Sequence, residues 1–141
     1  MKRKPVDVLE LRIGNLVRYS GDVRRVTAVS NGSIFLDGVV GAANPDEVYP
    51  IILSQSEINT KNLTPVGYRD YFVLYGDFVL SLPKDNESER AEVGILIPGT
   101  DLFCYEDYIY IKVAAVRYVH RFQNVLMDMN IKVNIGLKPV Q

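Results

Sequence analysis

From about Leu11 to Tyr49, short apolar and β-branched runs alternate with tight-turn residues. Leu16, Val17 and Tyr19 form the first run, which stops at Ser20-Gly21-Asp22. Gly21 is free there to take a positive φ. Val23 to Val29 follows, rich in the β-branched residues that fit a pleated surface. Asn31-Gly32 suits both central positions of a type I′ hairpin turn. Ile34, Phe35 and Leu36 make a third strand, closed by Asp37-Gly38, and a small-residue loop leads to a fourth over Glu47 to Ile52. Strands this short and this closely spaced predict a small SH3-like β-barrel or meander over residues 1–50. Met1 to Pro5 is expected to be a frayed basic arm.

The pattern changes at Ser54. Ser54-Gln55-Ser56-Glu57 fits a capping box and predicts a short helix, cut off by Asn62 and Pro65. Strands are expected at Tyr68 to Leu74, Phe78 to Leu82, Ala91 to Ile97, Leu102 to Tyr105 and Tyr108 to Ile111. Pro83 to Arg90 is polar throughout and predicts an exposed mobile loop. A longer helix is predicted over Ala114 to Met129. Val116, Val119, Gln123, Leu126 and Met129 recur there at steps of three and four, and Asn130 is the stop. Ile131, Val133 and Ile135 alternate as a last strand. The fold class is therefore α+β. An N-terminal β unit (1–50) precedes an antiparallel sheet with one short and one longer helix (51–141), and the sequence leaves open whether the two pack as one domain.

Composition narrows the function classes. Formal net charge is -1 and the pI is about 5.8. Nucleic-acid binding draws most of its affinity from basic residues, so only a local patch could serve it. The chain has one cysteine, Cys104, and so no internal disulfide. With no apolar stretch long enough for a signal or a span, this points to a cytoplasmic protein with no membrane contact.

Two stretches carry a family resemblance. Leu11-Arg12-Ile13-Gly14-Asn15-Leu16-Val17 resembles the "RIGN-x-V" opening of a group of short uncharacterised proteins of gut Bacteroidetes and their phages or mobile elements. Tyr118-Val119-His120-Arg121-Phe122-Gln123-Asn124 resembles that group's "Y-[IV]-H-x-[LF]-Q-N" helix. Tyr49 to Ser54 is similar to its "xPIPLT" junction, with Ile52 where the group has a second proline. The resemblance implies an architecture and a source, and no activity.

Candidate chemistry is sparse. His120 is the only histidine, and no Cys, Asp or Glu stands three or four residues from it on its helix. The favoured reading is that its imidazole and the Gln123 and Asn124 amides fasten the helix to neighbouring backbone. Cys104 lies beside Glu106 and Asp107, the wrong sign of charge to activate a thiol. Those two carboxylates point to opposite faces of a strand and make a poor acid–base pair. The glycines fit turns, not a phosphate cradle. No catalytic, metal or cofactor residue is assigned, and no cofactor is expected.

Two surfaces remain. Arg18, Tyr19, Arg24 and Phe35 could form a basic, aromatic face on the β unit, although Arg24 and Arg25 alternate in direction. Tyr108 and Tyr110 share one face of a strand and could meet a protein partner or a second copy of the chain. The expected role is a non-enzymatic binding or accessory module, phage or mobile-element in origin. A nucleic-acid-binding module is the alternative, and an enzyme comes third.

Overall fold

The computed structural model describes residues 4–66, 71–83, 90–98, 108–132 and 137. Within them the chain is mixed α+β, with two antiparallel sheets and one α-helix. The first sheet is a half-barrel of β1 (Leu16–Tyr19), β2 (Asp22–Ser30), β3 (Ser33–Leu36) and β4 (Val48–Tyr49), in the order β3-β2-β1-β4.

Turn chemistry sets this meander. Ser20 and Gly21 both take positive φ between β1 and β2, and Asn31 and Gly32 do so between β2 and β3. Left-handed conformation at both central residues matches the twist of a two-residue hairpin. A bulge between Val26 and Ala28 bends the long second strand. The strand expected over Glu47 to Ile52 is shorter, because Pro45–Glu47 forms a 3₁₀ turn capped by the Asn44 side chain. Proline at its start presets that turn.

The second sheet runs β5 (Thr64–Pro65), β6 (Tyr71–Tyr75), β7 (Phe78–Ser81), β8 (Ala91–Pro98) and β9 (Tyr108–Val116) in sequence order. Helix α1 spans Val119–Asp128. It starts later than the helix expected from Ala114. Ala114 and Ala115 instead pair with Val93 and Glu92 across the β8–β9 ladder, so sheet pairing overrides the helix preference of alanine. The helix ends in a Schellman motif. Asn130 takes φ 56°, its N–H reaches the Met127 carbonyl, and the Ile131 N–H reaches that of Leu126.

No α-helix forms after Ser54. Residues 54–57 make a hydrogen-bonded turn, and Thr60–Asn62 forms a short 3₁₀ helix. The capping box fails because its parts are engaged elsewhere. The Ser54 hydroxyl bonds to that of Ser56, and Glu57 is bound by Arg18. The strand expected at Leu102 to Tyr105, residues 84–89 of the polar loop, and residues 133–136 of the final strand lie outside the described residues.

Two buried clusters form among the described residues. Val6, Leu11, Val17, Val26, Ile34, Leu36, Ala43 and Val48 fill the half-barrel. Ile51, Leu53, Ile58, Leu80, Val93, Val119, Phe122 and Leu126 are among those that join α1 to the second sheet. Burying one such side chain stabilises by about 1.5–3 kcal/mol. Strand β1 borders both clusters. Val17 belongs to the first, while its neighbour Leu16 packs against the second. Strand alternation makes one strand serve two cores.

Gly94 on β8 lies under the Tyr110 ring, and a Cβ there would meet ring atoms at close range. The ring is not free to swing away, since it stacks on Tyr71 and its hydroxyl bonds Glu92. Gly94→Ala should therefore destabilise by about 1–3 kcal/mol, as overpacking does. Urea unfolding will measure this, and the cost should shrink in a Tyr110→Ala background.

Candidate functional site

Three of the polar residues picked out by the sequence, His120, Gln123 and Asn124, meet at one place, the seam between the Glu10–Leu16 segment and α1. The segment is built first. The Asp7 side chain accepts from the Leu9 N–H and starts a 3₁₀ turn over Val8–Glu10. Gly14 takes φ 95°, a left-handed turn that glycine adopts at no steric cost. The Asn15 side-chain oxygen accepts from the Arg12 N–H at 2.8 Å and closes the loop. The Gly14 N–H and the Asn15 carbonyl then bond to Val26 on β2, each at 2.8 Å.

Helix α1 is placed by backbone bonds on either side of its start. The Leu53 N–H reaches the Arg117 carbonyl, and the Val119 N–H reaches that of Ile51, both at 2.8 Å. His120, Gln123, Asn124 and Met127 follow at steps of three and four, so they share one face toward the segment.

Two amides form the centre of the seam. Gln123 Oε1 accepts from the Leu16 N–H at 2.8 Å, and its Nε2 donates to the Gly14 carbonyl at 3.1 Å. Asn124 Oδ1 accepts from Asn15 Nδ2 at 2.9 Å, and its Nδ2 donates to the Glu10 carbonyl at 2.8 Å. Asn15 is fully buried, so these bonds replace the water it has lost.

Charges flank the amides. His120 Nε2 lies 3.0 Å from Glu10 Oε2. Arg121 binds the same carboxylate with Nε and Nη2. The Arg121 hydrogen bond is the main force holding Glu10 below the usual carboxylate range. Burial pushes His120 below its ordinary value, against the pull of Glu10. At the far end Arg12 bridges Asp128 at 2.8 Å, and that bond holds the Asp128 carboxyl low. This pair is largely exposed and contributes little to stability.

The expected face of Arg18, Tyr19, Arg24 and Phe35 does not assemble. Val17 and Tyr19 pack on the half-barrel core, so Arg18 between them points the other way and binds Glu57 at 2.6 Å. Arg24 lies against the Asp37 carbonyl and Asp22, with its guanidinium close to Gly38. Ile34 and Leu36 are buried in the core, which sends the half-buried Phe35 to the opposite side of β3. The four side chains are thus split between two faces of the sheet, and both candidate arginines already have partners.

The expected tyrosine row is also modified. Tyr110 is half-buried, stacks on Tyr71 at 5.2 Å and donates to Glu92 at 3.0 Å. Burial pushes its phenol well above the ordinary value. The Tyr108 side chain and Cys104, Glu106 and Asp107 lie outside the described residues. Among the described residues, no group of three or more His, Cys, Asp or Glu is placed to hold a metal ion. No described helix is long and apolar enough to cross a membrane.

Glu10, Asn15 and Arg121 were not singled out by sequence reasoning. The signal that could have found two of them is the pair of resemblance motifs themselves, which contact each other here through Asn15 and Asn124.

Gln123→Ala leaves the Leu16 N–H without its partner and the Gly14 carbonyl with only its longer bond from Arg25, and should cost about 1–3 kcal/mol in urea unfolding. Asn15→Ala and Asn124→Ala share one bond. Their double mutant should depart from additivity by about 0.5–3 kcal/mol.

In comparisons with known proteins, no family model, no curated protein and no solved structure matched this chain.

Proposed function

We propose that the chain is a non-enzymatic binding or accessory module, with the half-barrel as an SH3-like unit. The support for the SH3-like reading is a hairpin meander whose last strand returns to pair with the first. The observation that carries the functional reading is a division of labour among side chains. The polar groups best suited to chemistry (His120, Glu10, Gln123 and Asn124) are engaged in joining the two parts of the fold. Apolar side chains, by contrast, stand exposed on β8 and β9.

Ile97 is 39% exposed, Ile111 50% and Val113 45%. Ile95 pairs with Ile111, so Ile97 and Ile111 lie on the side of the sheet that carries Ala91 and Val93 of the core, and Val113 is the extra residue of a bulge beside them. Among the described residues β9 is also the last strand of its sheet. Exposed apolar area beside an outer strand is the physical signature of a partner-binding face.

The phage or mobile-element source rests on the resemblance of the RIGN and HRFQN stretches. The nucleic-acid alternative has less support, because Arg18 and Arg24 are neutralised by carboxylates. An enzymatic role has less support, because the titratable cluster of His120, Glu10 and Arg121 is engaged in the seam itself.

A photo-crosslinking residue in place of Val113 should capture a defined partner or a second copy, while the same residue in place of the fully exposed Val40 captures neither. Ile111→Asp should abolish that adduct with the circular dichroism spectrum unchanged. Equal labelling from both positions, or none from either, would overturn the reading.

A further inference from the structure

His120 is the one histidine of the chain, and it sits where the two parts of the fold meet. Its side chain is 1% exposed. Nε2 faces Glu10, and the ring stacks on Tyr118 with centroids 5.8 Å apart. The other nitrogen, Nδ1, is buried with no hydrogen-bond partner among the described residues. The titratable groups set around the imidazole are Glu10 on the N-terminal turn, Arg121 next to it on α1 and Tyr118 before the helix. Asp7 acts on Arg121 from the N-terminal side.

This arrangement suits the neutral ring alone. Arg121 keeps Glu10 ionised, so the carboxylate is an acceptor. Nε2 must then carry the ring proton and donate, a tautomer assigned from its partner. Nδ1 is left as a lone pair shut off from the surface. A second proton would place an N–H there with no acceptor among the described residues, and would put a positive charge on the ring between Glu10 and Arg121. A buried donor without an acceptor is costly, and Glu10 at Nε2 offsets the charge only in part. Solvent removes that cost, so protonation favours any state in which the ring is out.

We propose that His120 is an acid-operated release for the seam: a proton taken up at Nδ1 expels the imidazole and frees the Glu10–Leu16 segment from α1. The release would reach the central amides. Gln123 and Asn124 lie one turn along the same helix face and hold the same segment. This proposal does not depend on the binding role of the sheet.

The direction of the pH effect follows from the shifts. Burial holds folded His120 below its ordinary value of 6.5. Its contribution to stability is fully present above that value and is lost as pH falls from 6.5 through the folded value. Glu10 and Asp128 are both lowered, from 4.5 and 3.8. Their contributions hold above those values and fail only in stronger acid. Among the described groups with shifted values, His120 is therefore the one that acts between 6.5 and 4.5.

Because the histidine is unique, its imidazole NMR signals need no assignment. Titration should show a midpoint below 6.5, with the Nε2–H tautomer at neutral pH. The Leu16 N–H, which donates across the seam to Gln123, reports opening by hydrogen exchange. Its protection factor should fall by up to about tenfold per pH unit below 6.5, the response to one proton. In His120→Gln that slope should vanish. An imidazole midpoint at or above 6.5 would overturn the proposal, and the wild-type protein alone decides this if the variant does not fold. Leu16 protection that is flat through the window, or that falls equally in His120→Gln, would also overturn it.

Discussion

The two side-chain amides of Gln123 and Asn124 join parts of the chain that lie far apart in sequence. Each uses its oxygen and its nitrogen, and each spans more than a hundred residues to reach the Glu10–Leu16 segment. Buried amides without partners cost about 1–3 kcal/mol apiece. With all of those groups satisfied, the same residues specify a single register between α1 and the half-barrel. Hydrophobic packing alone would not do so, because apolar contact is non-directional. The seam therefore combines a permissive apolar contact, Leu16 and Val23 on the second core, with a directional polar one.

That division explains what the surface has left to offer. Strand β1 alternates between two cores, so its polar residue Arg18 is drawn to Glu57 of the turn after Ser54. Glu57 in turn is no longer free to cap a helix there, and the segment settles into a turn. One ion pair thus engages both a basic surface residue and the carboxylate expected to cap the helix. The exposed apolar strip on β8 and β9 escapes this economy, since helix α1 has only ten residues and covers one end of the sheet.

Much of the half-barrel was legible in the residues. Asn31-Gly32 and Ser20-Gly21 encode their hairpins locally, through conformations that these side chains tolerate. Asn130 encodes the helix stop in the same way. The helix start was not legible. Ala114 to Val116 carry no local signal against a helix and become strand because β8 lies alongside them. The capping box at Ser54 was a sound local pattern defeated by distant partners.

The candidate surfaces show the same boundary. That His120, Gln123 and Asn124 share a helix face follows from spacing alone, and so does their unsuitability as a metal set. Sequence also determined the α+β class and the alternation of β1. Only the tertiary structure decided which backbone the amides hold, that Glu10 and Arg121 surround the imidazole, and that Arg18 and Phe35 turn away from Tyr19 and Arg24. The physical reason is range. Turn and cap preferences act over a few residues and are written where they act. Desolvation, ion pairing and amide hydrogen bonding depend on neighbours that are close in space and far apart in the chain.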